Sequence, residues 1–282
     1  MLHQTLTAIA AATVLIAATA TQAQEAPRTV QLGDYLGLRT VRATVGGQTG
    51  DFILDTGGGI SVVSPALAEK AGCKPWAQIV GHRLSGERLT MPRCDGLTIQ
   101  TEVGSLTSPS AGVFDLAALL PPDAPRIEGL IALDSLEAQP FTLELGAGRL
   151  TFETPETLAA RIDGAIEVPI RFHRQAGGIS LTTMVRVPTL QGDLWMQLDS
   201  GSMAPMLAAK SSAEPLGLDA EATTPQPMTL VLTGVNGDRI EAAAPVRVRD
   251  MIIDGNVGIA VMKTWVLTFD LANQKLWIRP VG

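Results

Sequence analysis

Two short stretches of the chain each place a carboxylate, a hydroxyl residue and a glycine directly after an apolar run. Residues 52–59 read FILDTGGG, with Asp55 as the acid, and residues 194–202 read LWMQLDSGS, with Asp199. Two carboxylates held close together cannot both ionise easily, so they share a proton and their pKa values separate. The ionised acid can then take a proton from water while the protonated acid polarises a carbonyl group. The pattern predicts that Asp55 and Asp199 form a catalytic pair for peptide hydrolysis.

The residues after each acid predict how the pair is held in place. Gly57 and Gly201 allow the backbone to turn tightly, so that its N–H groups point at the carboxylates. The hydroxyls of Thr56 and Ser200 are placed to bond across to the opposite turn and to lock the two together. The apolar run before each acid anchors it on a core strand, which suits a preorganised site.

The residue after each triplet makes the two turns unequal. Ser202 follows the second triplet, whereas Gly58 follows the first. We expect the Ser202 hydroxyl to bond to Asp199 and to favour its charged form. Asp199 is then the acid that is more often ionised, and Asp55 holds the shared proton.

The second half of the chain repeats the order of the first, which predicts two related units. Residues 127–129 (IEG) and residues 253–255 (IDG) occupy matching places downstream of the two acids. Residues 141–145 then fall on residues 267–271 without gaps. The first half is longer by eighteen residues between its acid and this glycine segment. We assign much of that excess to the proline-rich stretch before Arg126.

Local patterns predict mainly strands. Alternating apolar residues favour strands at 40–45 and 52–54, and a short helix begins after Ser64 and ends at Gly72. Two hairpin tips are expected at matching places and are the candidate flaps over the site; they contain Ser85, Gly86, Gly234 and Gly237. The predicted fold is all-β, with two pseudo-twofold-related, six-stranded, barrel-like lobes that have one short helix each.

These motifs resemble the aspartic proteases, with two retropepsin-like lobes fused in one chain as in the pepsin-like arrangement. The resemblance rests on the two Asp-hydroxyl-Gly triplets and on the two downstream glycine segments, and it covers nearly the whole chain after residue 23. It implies a bilobal acid-protease fold, an extended polypeptide as substrate, no metal and no cofactor. It also implies that the glycine segments cross beneath the catalytic turns and that one or both hairpin tips cover a cleft.

Some features depart from that family or allow other interpretations. Pepsin-like enzymes usually have a tyrosine on the first hairpin, whereas the one tyrosine here is Tyr35. Trp76 and Trp195 either line the cleft or belong to the core, and His82 is expected at the surface. One alternative function is a weak or inactive homologue that binds extended peptides in the same cleft. A structural envelope protein of two β-barrels is another, although it would need no paired acids. A serine hydrolase is disfavoured, because the chain has no Gly-x-Ser-x-Gly.

Composition limits the partners and the compartment. The 282 residues include 21 Lys and Arg against 28 Asp and Glu, a net charge of −7 without a basic cluster, so nucleic acid is not an expected partner. An apolar segment and a cleavage site predict a signal peptide. We therefore expect an exported, periplasmic or secreted monomer of the bacterial type, with no stable membrane span after the signal is removed. The predicted divisions are a signal peptide at 1–23, an N-terminal lobe at 24–157 and a C-terminal lobe at 158–282.

The two cysteines, Cys73 and Cys94, are read in the light of that compartment. In an oxidising environment they are a reasonable disulfide that closes a loop of about twenty residues. The alternative is a pair of free buried thiols.

Overall fold

A computed structural model describes residues 27–281. The predicted signal peptide therefore lies outside the described residues. In the first half the strands are β1 Arg28–Gln31, β2 Gly33–Tyr35, β3 Leu38–Val45, β4 Gln48–Leu54, β5 Val62–Val63, β6 Trp76–His82, β7 Arg88–Thr101, β8 Gly104–Val113, β9 Gly129–Ile131, β10 Phe141–Glu144 and β11 Arg149–Phe152. In the second half they are β12 Ile166–Glu167, β13 Ile170–His173, β14 Thr182–Thr189, β15 Gly192–Asp199, β16 Met206–Ala209, β17 Gln226–Thr233, β18 Arg239–Arg249, β19 Gly255–Gly258, β20 Trp265–Asp270 and β21 Lys275–Pro280.

Helices are few and short in this part of the chain. The α-helices are α1 Pro65–Lys70, α2 Pro155–Ile162 and α3 Ile259–Met262. Short 3-10 turns occupy Leu116–Leu119, Leu133–Ser135, Ala176–Gly178, Lys210–Ser212 and Glu214–Leu216. Among the described residues, none of the helices has the length and apolar character needed to cross a bilayer.

Helix α1 has the predicted boundaries and caps. Ser64 is the N-cap, and its hydroxyl accepts a hydrogen bond from the backbone N–H of Leu67 at 3.2 Å. In the second half, the segment that corresponds to α1 forms two 3-10 turns, the second of which contains Pro215. The predicted boundary between residues 157 and 158 falls inside α2, which connects β11 to β12.

The strands form three sheets in place of two six-stranded units. One sheet has the order β2-β3-β4-β9-β5-β8-β7-β6, and a second has the order β13-β14-β15-β19-β16-β18-β17. Their first seven positions correspond one to one, including the parallel pairs β4–β9 and β15–β19. The glycine segments therefore lie beside the strands that lead to the two acids. Strand β6 has no counterpart in the second sheet.

This topology corrects the matching of the two hairpins. The β17–β18 hairpin corresponds to the β7–β8 hairpin, because β8 pairs in parallel with β5 as β18 does with β16. The β6–β7 hairpin, which contains Ser85 and Gly86, is specific to the first half. The extra length of the first half thus includes β6 and its turn as well as the proline-rich connection between β8 and β9.

A third sheet joins the two halves, in the order β1-β11-β10-β20-β21-β12. Strands β10 and β20, which the sequence repeat equates, pair antiparallel so that Thr142 faces Thr268. Their hydroxyl oxygens are 3.1 Å apart, and the rings of Phe141 and Phe269 stack with centroids 4.9 Å apart. Because equivalent residues face each other, a local pseudo-twofold axis passes between the two threonines.

Candidate active site

Each of the two acids lies at the end of a central strand, and the apolar side chains that precede it on that strand are fully buried. Asp55 follows β4, and its backbone N–H donates to the carbonyl of Ile131 on β9 at 2.9 Å. Asp199 ends β15, directly beside Gly258 of β19. The anchoring side chains that precede the acids are completely inaccessible to solvent; they are Phe52, Leu54, Met196 and Leu198. Burying each such side chain contributes about 2 kcal/mol, so the two turns are held by the cores of both sheets.

Reciprocal hydrogen bonds lock the two turns against each other. The Thr56 hydroxyl donates to the carbonyl of Leu198 at 2.8 Å and accepts from the N–H of Ser200 at 3.0 Å. The Ser200 hydroxyl donates to the carbonyl of Leu54 at 2.7 Å and accepts from the N–H of Thr56 at 3.0 Å. All four bonds are buried and cross between the halves, so each hydroxyl has the bridging position that the sequence predicted.

The glycine of each triplet lies close to both acids. Gly57 N–H donates to Asp55 Oδ1 at 2.9 Å, and Gly201 N–H donates to Asp199 Oδ1 at 2.9 Å. A Cβ atom on Gly57 would lie 2.4 Å from Cγ of Asp199, and one on Gly201 would lie 2.4 Å from Cγ of Asp55. Real Cβ atoms do not approach that closely, so both positions require glycine for the two carboxyl groups to meet.

The environment separates the two acids in pKa. Burial raises the pKa of Asp55, while N–H groups of Gly57, Gly58 and Gly201 and a hydrogen bond with Asp199 limit the rise. Burial and then the charge of Asp55 raise the pKa of Asp199 well above its usual value. Asp199 is also the more enclosed residue, with 8% of its surface exposed. The higher pKa of Asp199 favours this residue as the holder of the shared proton.

That order is the opposite of the one expected from Ser202. The Ser202 hydroxyl makes no hydrogen bond with Asp199 among the described residues; the turn instead uses the Ser202 backbone, whose N–H donates to the carbonyl of Asp199 at 3.3 Å. Gly58 has the effect expected of Ser202, because its N–H stabilises the charge on Asp55. The expectation failed because burial and the nearby charge of Asp55 raise the pKa of Asp199 more than its hydrogen-bond donors lower it.

Polar side chains surround Asp199 where apolar ones surround Asp55. Asn256 pairs in register with Gln197, two residues before Asp199, whereas the equivalent first-half pair is Leu130 with Ile53. Asn256 is fully buried and lowers the pKa of Asp199, although neither amide atom has a hydrogen-bond partner of good geometry among the described residues. Gln197 donates from Nε2 to the carbonyl of Gly57 at 3.3 Å.

The β6–β7 hairpin forms a flap over a cleft of about 330 Å³ that contains both acids. Its turn is closed by the Arg83 N–H to Glu87 carbonyl bond, and it includes Ser85 and Gly86 as predicted. The carbonyl of Leu84 accepts from Ile252 N–H of the second half at 3.0 Å. In addition, the His82 N–H of the flap donates to Gln175 Oε1 at 2.8 Å. The flap is therefore fastened to the second half at two points.

The second hairpin tip lies away from this cleft. Val235 N–H donates to the carbonyl of Glu167 at 2.9 Å, and Gly234 packs beside Ile166 and Glu167 of β12. The candidate flap residues Gly234 and Gly237 are therefore corrected to a tip that rests on β12. The reason is topological, since this hairpin corresponds to β7–β8 and not to the flap.

The cleft has chemically different walls. An apolar wall comes from the first half; it includes Ile60, Val62, Ile79, Met91, Phe114, Leu116 and Leu130. The second half contributes mainly polar residues, which are His173, Gln175, Ser180, Thr182 and Gln197, together with the apolar Ala176, Ile252 and Ile253. None of these was identified from the sequence. The apolar residues resemble any strand core, and the polar ones come together through the pairing of distant segments.

Both candidate tryptophans lie outside the cleft, whereas His82 lines it. Trp76 is 53% exposed, with its indole N–H bonded to Asp95 at 3.0 Å. Trp195 packs beneath the guanidinium of Arg171, 3.9 Å from the ring centre. His82, expected to be a surface residue, is exposed but also lines the cleft.

A disulfide joins Cys73 to Cys94, with Cα atoms 6.0 Å apart. Cys73 follows α1, and Cys94 is buried on β7. The bond therefore ties the helix to the strand that continues into the flap.

Comparison with known proteins supports this description of the fold. Residues 41–134, which include Asp55 and the segment around Gly129, match the family model described as aspartyl protease. No curated protein matches the chain significantly.

Two solved structures share the fold over nearly their whole length. The basic 7S globulin from soybean is similar with a TM-score of 0.61 at 12% identity, covering 90% of this chain and 95% of that chain. Conglutin gamma, a basic 7S globulin from lupine seeds, is similar with a TM-score of 0.57 at 9% identity, covering 90% of this chain and 94% of that chain. The predicted all-β, acid-protease-like fold is thereby confirmed.

Proposed function

We propose that this protein is an aspartic endopeptidase that hydrolyses peptide bonds with a water activated between Asp55 and Asp199. The observation that carries the proposal is the pair of acids itself. They come from different halves, the Thr56 and Ser200 bonds hold them together, and their pKa values differ in the manner that a shared proton requires. The aspartyl-protease match over residues 41–134 supports the same chemistry for the first half.

The separation of the two pKa values assigns a role to each acid. Ionised Asp55 removes a proton from the water, whose oxygen then bonds to the peptide carbonyl carbon. Protonated Asp199 donates its proton to the carbonyl oxygen at the same time, which gives a neutral tetrahedral intermediate. In the second step the C–N bond breaks, the nitrogen takes the proton from Asp55, and an intermediate hydroxyl returns a proton to Asp199. The acids end the cycle as they began it.

The roof over the cleft supports an extended polypeptide as substrate. A flap strand on one side and the catalytic turns on the other leave a long passage in which backbone N–H and carbonyl groups can bond to a peptide main chain. The flap contacts with Gln175 and Ile252 must open for a chain to enter. Substrate binding is therefore expected to involve movement of residues 82–88.

A second candidate function is binding of extended peptides without hydrolysis. Both solved neighbours are named as globulins, and their likeness does not reach beyond the fold. The closed flap is compatible with retention of a bound peptide. This alternative leaves the pair of acids without a role, and we therefore rank it second.

We also propose that the protein is exported and acts as a monomer. The predicted signal at residues 1–23 and the Cys73–Cys94 disulfide both suit an oxidising compartment. A single chain supplies both acids, so no second copy is needed to complete the site.

Cleavage of a mixed peptide library between pH 3 and 7 tests the proposal. Wild type is compared with Asp55→Asn and Asp199→Asn, which keep side-chain shape but remove the charge and the exchangeable proton. We expect wild type to cleave and both variants to lose at least a thousandfold in kcat. Loss in only one variant contradicts the shared pair, and an inert wild type that still binds peptides favours the alternative.

A further inference from the structure

The cleft has a basic side that the reaction does not use. Besides the two catalytic acids, the ionisable residues that line it are His82, Arg83 and His173. No other Asp or Glu lines this cleft within residues 27–281, although the chain as a whole carries a net charge of −7. Both histidines of the described part of the chain, on separate elements, therefore lie in this one cleft.

These basic groups converge from opposite sides of the gap between the flap and the second half. His82 and Arg83 belong to the flap, where the chain leaves β6. His173 ends β13, two residues before Gln175, and Gln175 Oε1 accepts the His82 N–H at 2.8 Å. The same bond that fastens the flap thus brings the two histidines to one end of the cleft.

The neighbouring acids leave most of this charge available. Arg83 pairs with Glu87 across the flap turn at 3.6 Å, but both side chains are about half exposed and solvent screens the pair. Arg174 has its own partner in Glu137, so it adds no free charge here. Asp55 and Asp199 face the cleft floor, and they share one proton while the enzyme is active.

We propose that the basic side of the cleft, formed by His82, Arg83 and His173, recognises a carboxylate of the substrate close to the scissile bond. This inference rests on the proposed function, because it names the substrate class of the same cleft. The substrate is a polypeptide with an acidic group that enters the gap between the flap and the second half.

Paired peptides test the recognition and separate its two sources of a carboxylate. A peptide that wild type cleaves is made with Glu or Gln at each position around the scissile bond, with its C-terminus either amidated or free. We expect the Glu form to exceed the Gln form at one position by about tenfold in kcat/KM. The same preference in amidated peptides identifies a side-chain carboxylate, and a preference only for free ends identifies the C-terminal carboxylate.

Variants assign the preference to the basic residues. Arg83→Gln and His173→Gln should each lower the Glu-to-Gln ratio, and the triple variant with His82→Gln should bring it to about one. The matched control is Arg88→Gln, which removes an exposed charge from the same hairpin at a position that does not line the cleft. Because the ratio is taken within each variant, a general loss of stability does not change it.

Binding separates failure of this inference from failure of the proposed function. The Asp55→Asn/Asp199→Asn double variant is tested for binding of the Glu and Gln peptides by fluorescence anisotropy. A wild type that cleaves without any Glu-to-Gln difference overturns the inference and leaves the proposed function intact. An inert wild type whose double variant prefers Glu overturns the proposed function and supports the recognition. Equal binding of both peptides, or of neither, overturns the inference.

Discussion

The Thr56 hydroxyl accepts a hydrogen bond from the N–H of Ser200, and the Ser200 hydroxyl accepts one from the N–H of Thr56, both at 3.0 Å. These equivalent residues of the two halves each donate as well to the strand carbonyl beneath the other acid. Four hydrogen bonds thus join the two turns that carry the acids. These four bonds, together with the buried strands that precede the acids, fix the distance between the two carboxyl groups.

Thr56→Val tests the hydrogen bonds between the two turns, because it keeps the branched side-chain shape and removes the hydroxyl. The change leaves the buried Leu198 carbonyl and Ser200 N–H unpaired, so we expect the free energy of unfolding to fall by about 2–4 kcal/mol. Peptide cleavage should fall with it, since the two acids lose their fixed separation. Urea unfolding and kcat on one peptide measure the two effects.

Thr44→Val is the matched control for that variant. The Thr44 hydroxyl lies 2.7 Å from that of Thr49 across β3 and β4, but the pair is exposed. We expect little change in stability or activity from it. Equal losses of stability and activity in the two valine variants would show that the hydrogen bonds of the Thr56 hydroxyl do not hold the site together.

Asp134→Asn tests a buried carboxylate outside the catalytic pair. Burial raises the pKa of Asp134 to about 6, against bonds from Ser61 and Ser108 that oppose the rise. Between about pH 4 and 6 the folded protein keeps a proton there that the unfolded chain has released. Raising the pH through this window should therefore lower the free energy of unfolding by roughly 3 kcal/mol, and the Asn variant should lack this contribution.

Urea unfolding of wild type and variant at several pH values between 4 and 7 measures that difference. The catalytic acids contribute a slope of the same sign to both proteins, so comparison of the two curves isolates Asp134. Asp123→Asn, at an exposed position, is the control. Parallel curves for wild type and Asp134→Asn would contradict the assignment.

Asn256→Leu tests the polar surroundings of Asp199 by copying the equivalent Leu130 of the first half. The Asn256 amide lowers the pKa of Asp199, so its removal should raise that pKa. Because Asp199 must stay protonated, the alkaline limb of the kcat/KM profile should move to higher pH and the acid limb should stay in place. Stability should be unchanged or higher, since the buried amide lacks good partners. A profile that does not move, or one that also moves in the exposed control Asn236→Leu, would oppose this role.

Gln175→Ala tests the fastening of the flap. Loss of the bond to His82 N–H removes about 1 kcal/mol from the closed state, so exchange of the backbone amides in residues 82–87 should quicken by about fivefold. Hydrogen exchange followed by mass spectrometry measures the change. The exposed Gln191→Ala serves as control, and unchanged exchange in the flap of Gln175→Ala would show that the Leu84–Ile252 bond alone holds it.

The sequence allowed prediction of features that depend on local pattern. The acid turns, the roles of Thr56 and Ser200, helix α1 and the flap turn follow from short motifs whose chemistry is determined by neighbouring residues. Features that depend on the assembled chain were missed. Two similar hairpin tips concealed the fact that β6 is an addition to the first half. The order of the two pKa values depends on the burial of both acids and on the charge of Asp55 beside Asp199. His173 and Gln175 have no sequence signal, because only the β13–β14 pairing brings them opposite the flap.

The dependence of kcat/KM on pH, measured for one cleaved peptide, tests the central claim most directly. A pair of acids that shares one proton requires Asp55 ionised and Asp199 protonated, so the profile should be bell-shaped, with an acid limb and an alkaline limb that belong to the pair. Asp199→Asn should abolish cleavage across the whole range. A profile with a single limb, or an Asp199→Asn variant that keeps wild-type activity at any pH, would contradict the account.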